Sequence, residues 1–261
     1  MSNGEGKHNR ILKKTRHLAK FKDRYKGERC FLIGNGPSLR MEDLDKLHHN
    51  REYSFASNRV YVAFKKTKWR PTFYTVQDHA FLVEYHSDVD RLRVKYKFIS
   101  DWALVRENDK RTFRSANIFH AENTPYYPYC PGFSTDITER VYVGATIIYS
   151  NIQVASYMGF SEMYLLGVDQ NYVNFITEKE QANKLKSVYF FAEGNSNEHF
   201  ANGYIERGAK LLLPNLDKSL LAFEKAEIYS RYNGFRIYNA TRGGRLEVFE
   251  RVEFDDLVIR K

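Results

Sequence analysis

The chain has 261 residues, 43% of them apolar, and carries a net charge of +9 from 41 Lys and Arg against 32 Asp and Glu. That is enough for one large domain or two small ones around a substantial aromatic core. No apolar run is long enough to span a bilayer, Met1 to Gly6 lacks the apolar segment of a secretory signal, and Cys30 and Cys130 make neither a disulfide framework nor a metal spacing.

The basic excess is concentrated at the start. Between Lys7 and Arg29 there are ten Lys and Arg against Asp23 and Glu28, and Ile11, Leu12, Leu18, Ala19 and Phe21 are spaced loosely like one helical face. Residues 1–27 therefore read as a basic N-terminal helix or extension, ahead of one α/β domain over 28–261. The segment suits a solvated cap on the domain or a peripheral contact with anionic lipid. No nucleic-acid motif accompanies it. A basic surface also attracts phosphorylated or nucleotide-activated substrates.

The apolar run Cys30–Ile33 ends in Gly34-Asn35-Gly36-Pro37-Ser38-Leu39. This predicts a strand, a tight turn and a helix starting at Pro37, the arrangement with which α/β proteins hold phosphates. It is not a P-loop, and Leu39 stands where a dinucleotide fingerprint has its third glycine. The amides of Gly36, Ser38 and Leu39, with the side chains of Asn35 and Ser38, are the donors left to such a turn. An ordinary βα turn with glycine for positive φ is the competing reading.

Further strands are predicted at Tyr53–Ala56, Thr72–Val76, Lys97–Ile99, Ala116–Ala121, Met163–Leu166 and Phe235–Tyr238. Helices are predicted at Met41–His48, Ala80–Arg93, Val143–Met158 and Pro214–Tyr232. The alternation implies a Rossmann-like, mainly parallel sheet flanked by helices. Three irregular segments, Asn123–Phe133, Gly194–Gly203 and Asn239–Gly244, are loop candidates, and 177–204 reads as a lid or a plain surface insertion.

Several of these segments resemble the bacterial sialyltransferases of glycosyltransferase family 42: Gly34-Asn-Gly-Pro-Ser-Leu39, Asn58 after the second strand, Gly159-Phe-Ser-Glu-Met-Tyr-Leu-Leu-Gly167-Val-Asp169, and Asn197-Glu-His199-Phe200. A closer resemblance is to a bacterial group labelled as related to 6-hydroxymethylpterin diphosphokinases. It is carried by Gly-x-Gly-Pro-Ser-Leu, Phe133-Ser-Thr-Asp136, Gly-Val-Asp and the tail Tyr238-Asn-Ala-Thr-Arg-Gly-Gly-Arg-Leu-Glu-Val-Phe249.

The family-42 resemblance implies a GT-A-like variant of the sialyltransferase type. It also implies inverting transfer of sialic acid or another 2-keto sugar, from a donor that is CMP-activated, to a surface-glycan or glycolipid acceptor in lipopolysaccharide or capsule assembly. Inversion needs a base for the acceptor hydroxyl and donors for the departing phosphate. The resemblance gives the base to His199, a site role to Asp169 and a phosphate contact to Tyr172, which stands one place later than the family pattern. It gives nucleotide contacts to Asn35 and Asn58 and, at a different spacing, to Thr146; Gly34, Gly36 and Gly167 stand in the matching segments. Ser38 is a nucleotide contact or a helix cap, Asn239, Thr241 and Arg242 beside the Gly243-Gly244 turn are donor candidates, and Arg140 is a further candidate. Metal spacing is poor, so a metal-independent transfer in the cytoplasm, with no further cofactor, is the expectation; Asp78, Asp136 and Asp169 would hold Mg²⁺ only if the fold converges them. The alternative is a diphosphokinase for a pterin-like alcohol, using ATP and Mg²⁺. A third reading is a binding module without turnover. Homo-oligomerisation is left open.

Overall fold

The computed structural model describes residues 15–104, 113, 115–123, 131–171, 189–191, 200, 210–212 and 215–258. Its elements are β1 (Arg29–Ile33), α1 (Met41–His49), β2 (Tyr53–Ser57), β3 (Phe73–Val76), α2 (His79–Arg91), β4 (Tyr96–Ser100), β5 (Ala116–Phe119), β6 (Ala121–Asn123), β7 (Val141–Val143), α3 (Ile147–Tyr157), β8 (Glu162–Leu166), β9 (Tyr189–Phe191), β10 (Lys210–Leu212), α4 (Leu216–Tyr232), β11 (Arg236–Asn239), β12 (Glu250–Arg251) and α5 (Phe254–Leu257).

Eight strands form one sheet in the order β12-β11-β8-β1-β2-β3-β4-β5, and every neighbouring pair is parallel. The predicted Rossmann-like sheet is therefore present. Its central strands, β8, β1, β2, β3 and β4, are buried on both faces, as parallel strands covered by helices must be, while the edge strand β12 is exposed. Cys30, Leu32, Phe55, Phe73 and Phe98 pack toward α3 and α4, while Phe31, Ile33, Tyr74 and Ile99 pack toward α1, α2 and α5. Burial pushes the Cys30 thiol well up from its ordinary range, which makes it an inert core residue. The chain order advances from β1 outward to β5, then returns to lay β8 and β11 on the other side of β1. The topological switch point is therefore between β1 and β8, and their carboxyl ends mark the ligand crevice of such sheets.

Four expectations are corrected. The helix after β1 starts at Met41, not Pro37, because Gly36–Leu39 closes as a turn through Leu39 N–H to Gly36 C=O at 3.2 Å, with Pro37 at its second position. The predicted strand 116–121 is two strands broken at His120: β5 joins the main sheet, and β6 pairs with β7 in a separate ribbon. The predicted helix from Val143 begins at Ile147, because Val141–Val143 is strand and Thr146 caps α3 by accepting from Ile148 N–H at 3.3 Å. The predicted helix 80–93 starts one residue early, at His79, capped by Asp78, and ends at Arg91.

At the other end of the sequence, Arg16–Phe21 is a 3₁₀ helix that buries Leu18 and Phe21 fully in the core, with Tyr25 behind them. Tyr25 stacks on Phe160 with ring centroids 4.9 Å apart. No helix among the described residues is long and apolar enough to cross a membrane.

The most heavily used polar side chain of the core is Gln153 on α3, which is fully buried. Its Oε1 accepts from the amides of Ser134 (2.9 Å) and Tyr142 (3.0 Å), and its Nε2 donates to the carbonyls of Tyr142 (2.8 Å) and Tyr149 (3.1 Å). One side chain thus pins the Phe133–Asp136 motif and β7 onto α3. Gln153→Ala strands two buried amides, so it should cost about 3 kcal/mol and lower Tm by roughly 6–12 °C in a thermal melt.

Candidate functional site

Three loops meet at the switch point. The first follows β1 and contains Gly34 to Ser38. The second follows β8 and contains Gly167, Val168 and Asp169. The third runs from Asn239, the last residue of β11, to Arg245. Ser38 donates to the Asp169 carboxylate twice, from its amide to Oδ1 at 3.3 Å and from its hydroxyl to Oδ2 at 2.9 Å. Gly36 N–H donates to Gly167 C=O at 2.9 Å. From the third loop, Arg245 N–H donates to Asp169 C=O at 2.8 Å, and Thr241 Oγ1 accepts from Val168 N–H at 3.1 Å. Asn239 is buried and uses both ends of its amide inside its own loop, accepting from Thr241 N–H at 3.0 Å and donating to Leu246 C=O at 2.8 Å.

This clasp explains the glycines in physical terms. Neither Gly34 nor Gly36 has a positive φ. What they supply is space: a Cβ on Gly34 would lie 2.2 Å from the Gly167 carbonyl oxygen, and one on Gly36 would lie 1.8 Å from Asp169 Oδ2. Gly167 does need the left-handed backbone, at φ +72°. The amides of Gly36, Ser38 and Leu39, expected to stand free for a phosphate, are all taken by groups of the chain itself. An Asp169 carboxylate oxygen sits where an anion would meet Ser38.

Open polar groups lie one strand further on. Asn35 Nδ2 donates to Ser57 C=O at 3.2 Å, which joins the mouths of β1 and β2. Asn35 Oδ1 and Ser57 Oγ are buried and have no hydrogen-bond partner among the described residues. Asn58 follows directly at φ +53°, a strained backbone held in place by Tyr74 OH donating to its carbonyl at 2.7 Å. Arg59 lies over the Tyr85 ring at 4.7 Å from its centroid. Beneath them, Thr75 Oγ1 donates to Asn151 Oδ1 at 2.7 Å and Ser150 Oγ to Gln77 Oε1 at 2.6 Å, so the first turns of α3 floor this mouth.

The predicted candidates thus divide. Asn35 and Asn58 come together, and Gly34, Gly36, Ser38, Gly167, Asp169 and Asn239 build the clasp beside them. Thr146 caps α3. Arg242 is committed to Asp43 (2.6 Å) and Asp255 (3.1 Å), and Arg140 to Glu122 (2.9 Å). Asp78 accepts from Phe81 N–H and Asp136 from Thr138 N–H, and no group of three His, Cys, Asp or Glu among the described residues is placed to hold a metal. His199, Tyr172, the lid 177–204 apart from short pieces, and Tyr126–Tyr129 lie outside the described residues. Phe200, next in sequence to His199, donates its amide to Asn35 C=O at 3.2 Å. Sequence reasoning missed Ser57, Arg59 and the pair His120–Asp101. For His120 the missed signal was a histidine interrupting a strand pattern.

The fold is a Rossmann-like, mainly parallel α/β sheet flanked by helices. A sequence model of the family described as 6-hydroxymethylpterin diphosphokinase MptE-like matches residues 5–175, and the chain belongs to that family. Among solved structures, the MAf glycosyltransferase from Magnetospirillum magneticum AMB-1 shares the fold at 14% identity and a TM-score of 0.51, over 97% of this chain and 40% of that one. This chain thus corresponds to less than half of that protein. No curated protein matches the sequence.

The two glycines separate by what their Cβ would strike. Gly34→Ala meets backbone, which cannot swing away, and should cost about 3 kcal/mol or more. Gly36→Ala meets the Asp169 carboxylate first, at 1.8 Å, and then the Gly167 carbonyl oxygen at 2.8 Å, and should cost about 2 kcal/mol while breaking the Ser38–Asp169 pair. Denaturant melts of both variants read the order, and equal or reversed values would show that the clasp is not close-packed.

Proposed function

We propose that this chain is a transferase that binds a nucleotide across the mouths of β1 and β2 and passes a group from it to a hydroxyl-bearing acceptor. The observation that carries the reading is the Asn35–Ser57–Asn58 constellation. A buried amide oxygen and a buried hydroxyl stand without partners beside a strained asparagine, at the edge where parallel sheets bind ligands. Such groups fit the hydroxyls and exocyclic amine of a nucleoside. The net charge of +9 favours an anionic substrate.

Two donors are in view. The family match, which spans this mouth, supports diphosphoryl transfer from ATP to the hydroxymethyl group of a pterin-like alcohol, with release of AMP. The acceptor oxygen attacks the β-phosphorus, and the bond to the α-phosphate oxygen breaks. The described carboxylates form no metal site on their own, so Mg²⁺ enters this reading on the ATP phosphates. The second reading is supported by the likeness of fold to a glycosyltransferase and by the motif resemblance. It is transfer of a sugar from a nucleotide donor, CMP-linked by the motifs, to a glycan acceptor with inversion, with His199 as the base.

Thermal shift separates them. A nucleotide at a hundred times its Kd stabilises the native state by about 2.7 kcal/mol, which raises Tm by roughly 5–10 °C. A shift with ATP only in the presence of Mg²⁺ selects the diphosphokinase, and a shift with CMP without metal selects the glycosyltransferase. Asn35→Ala should weaken the selected nucleotide about tenfold. No shift with ATP, CMP, CDP, UDP or GDP would overturn the proposal.

A further inference from the structure

Two residues outside every motif meet at the far end of the same edge. Asp101 directly follows β4, and His120 directly follows β5, at the break that separates β5 from β6. His120 Nδ1 lies 2.6 Å from Asp101 Oδ2, and Asp101 Oδ1 accepts from Ala121 N–H at 3.0 Å. Both side chains are partly open, 17% for His120 and 25% for Asp101. An ionised carboxylate has no hydrogen to give, so the shared hydrogen sits on His120 Nδ1. In the neutral ring, Nε2 then carries the lone pair, and it has no hydrogen-bond partner among the described residues.

The surroundings keep this pair separate from the structural ion pairs. Glu122, two residues on, is matched by Arg140 at 2.9 Å. Ser100, which precedes Asp101, is tied back by donating its hydroxyl to Gln77 C=O at 2.9 Å. The pair therefore stands on a rigid strand end, its carboxylate fixed at both oxygens. Parallel strands are spaced about 4.8 Å, so the ends of β4 and β5 lie about 10–14 Å from that of β2. A nucleoside phosphate lying along the edge from Asn35 and Asn58 would bring its reacting end toward them.

We infer that His120 is a catalytic proton acceptor for the acceptor hydroxyl, and that Asp101 is the positioning residue that fixes its ring and tautomer. The acceptor O–H bond breaks, and its proton passes to His120 Nε2. The freed oxygen pair forms the bond to the donor's phosphorus or sugar carbon. The nucleotide leaves with the electrons of the bond it loses, and the imidazolium returns its proton to solvent. The inference rests on the transferase reading for the identity of the reaction, and it puts the base on the sheet rather than at His199.

The test uses the full chain and two readouts. Diethyl pyrocarbonate carbethoxylates neutral imidazole nitrogen, and peptide mass spectrometry maps the site. His120 should be modified alongside the exposed His48 and His49. In Asp101→Asn, Ala121 N–H holds the amide oxygen, so the NH₂ faces His120 Nδ1 and the ring hydrogen moves to Nε2. Modification of His120 should then slow at least about tenfold, with His48 and His49 unchanged. Turnover is read as AMP release from ATP, Mg²⁺ and 6-hydroxymethylpterin, and as CMP release from a CMP-linked sugar with a glycan acceptor. His120→Gln and Asp101→Asn should lower it about 10²–10⁴-fold, while the Tm shift with nucleotide is kept and Asp101→Glu partly restores the rate. His120 left unmodified while His48 and His49 react would overturn the inference. So would His120→Gln at wild-type rate, or loss of turnover in His199→Ala alone. A wild-type chain without turnover or nucleotide shift sinks the transferase reading instead. The modification rate and its dependence on Asp101 then decide the dyad alone.

Discussion

The Asp169 carboxylate, gripped by the amide and hydroxyl of Ser38, is the contact around which the switch point is assembled. It forms only because the loops after β1 and β8 come closer than side chains allow. The missing Cβ atoms of Gly34 and Gly36 are the condition for that approach. The third loop then locks the arrangement by gripping the main chain of Val168 and Asp169. A charged group buried as Asp169 is would be costly unless it were hydrogen-bonded. The same bonds that neutralise this cost also hold the two strand ends in register, so the clasp and the geometry of the neighbouring mouth are one structure.

That clasp changes how the glycine-rich turn relates to a ligand. In P-loops and dinucleotide folds the turn offers open amides to phosphate. Here the amides are already engaged, and the unsatisfied groups are displaced one strand along, to Asn35 Oδ1 and Ser57 Oγ, beside the left-handed Asn58. The left-handed backbone at Asn58, Ala145 and Gln170 lies after β2, before α3 and after β8. Backbone strain of this kind, of order 1–3 kcal/mol each, persists where the surroundings over-determine it. At Asn58 the buried Tyr74, whose hydroxyl donates to the Asn58 carbonyl, supplies that determination.

The edge of the sheet is thus graded. A closed, self-satisfied clasp lies over β8 and β1, open amides and hydroxyls over β1 and β2, and an oriented imidazole beyond β4 and β5. Under the proposed transferase reading either donor would use this edge, because both reactions need a hydroxyl deprotonated and a phosphate released.

The sequence by itself determined the element order, the parallel character of the sheet and the motifs, because hydrophobic period and turn residues are local properties. The runs at Cys30–Ile33, Tyr53–Ala56 and Met163–Leu166 became β1, β2 and β8 almost to the residue. It also marked Asn35, Asn58 and Asp169. What each side chain bonds to was set by the fold. That Gly34 and Gly36 serve close approach, that Arg242 belongs to Asp43 and Asp255, and that the Asn239 amide is spent inside its own loop all depend on partners far away in the chain. The clearest case is His120. Periodicity carried the strand through it to Ala121, whereas its bond to Asp101, 19 residues away, takes it out of the ladder and leaves its ring at the mouth. A histidine interrupting a strand pattern marks the position, but its partner across two strand ends is set by the fold and has no signature in local pattern.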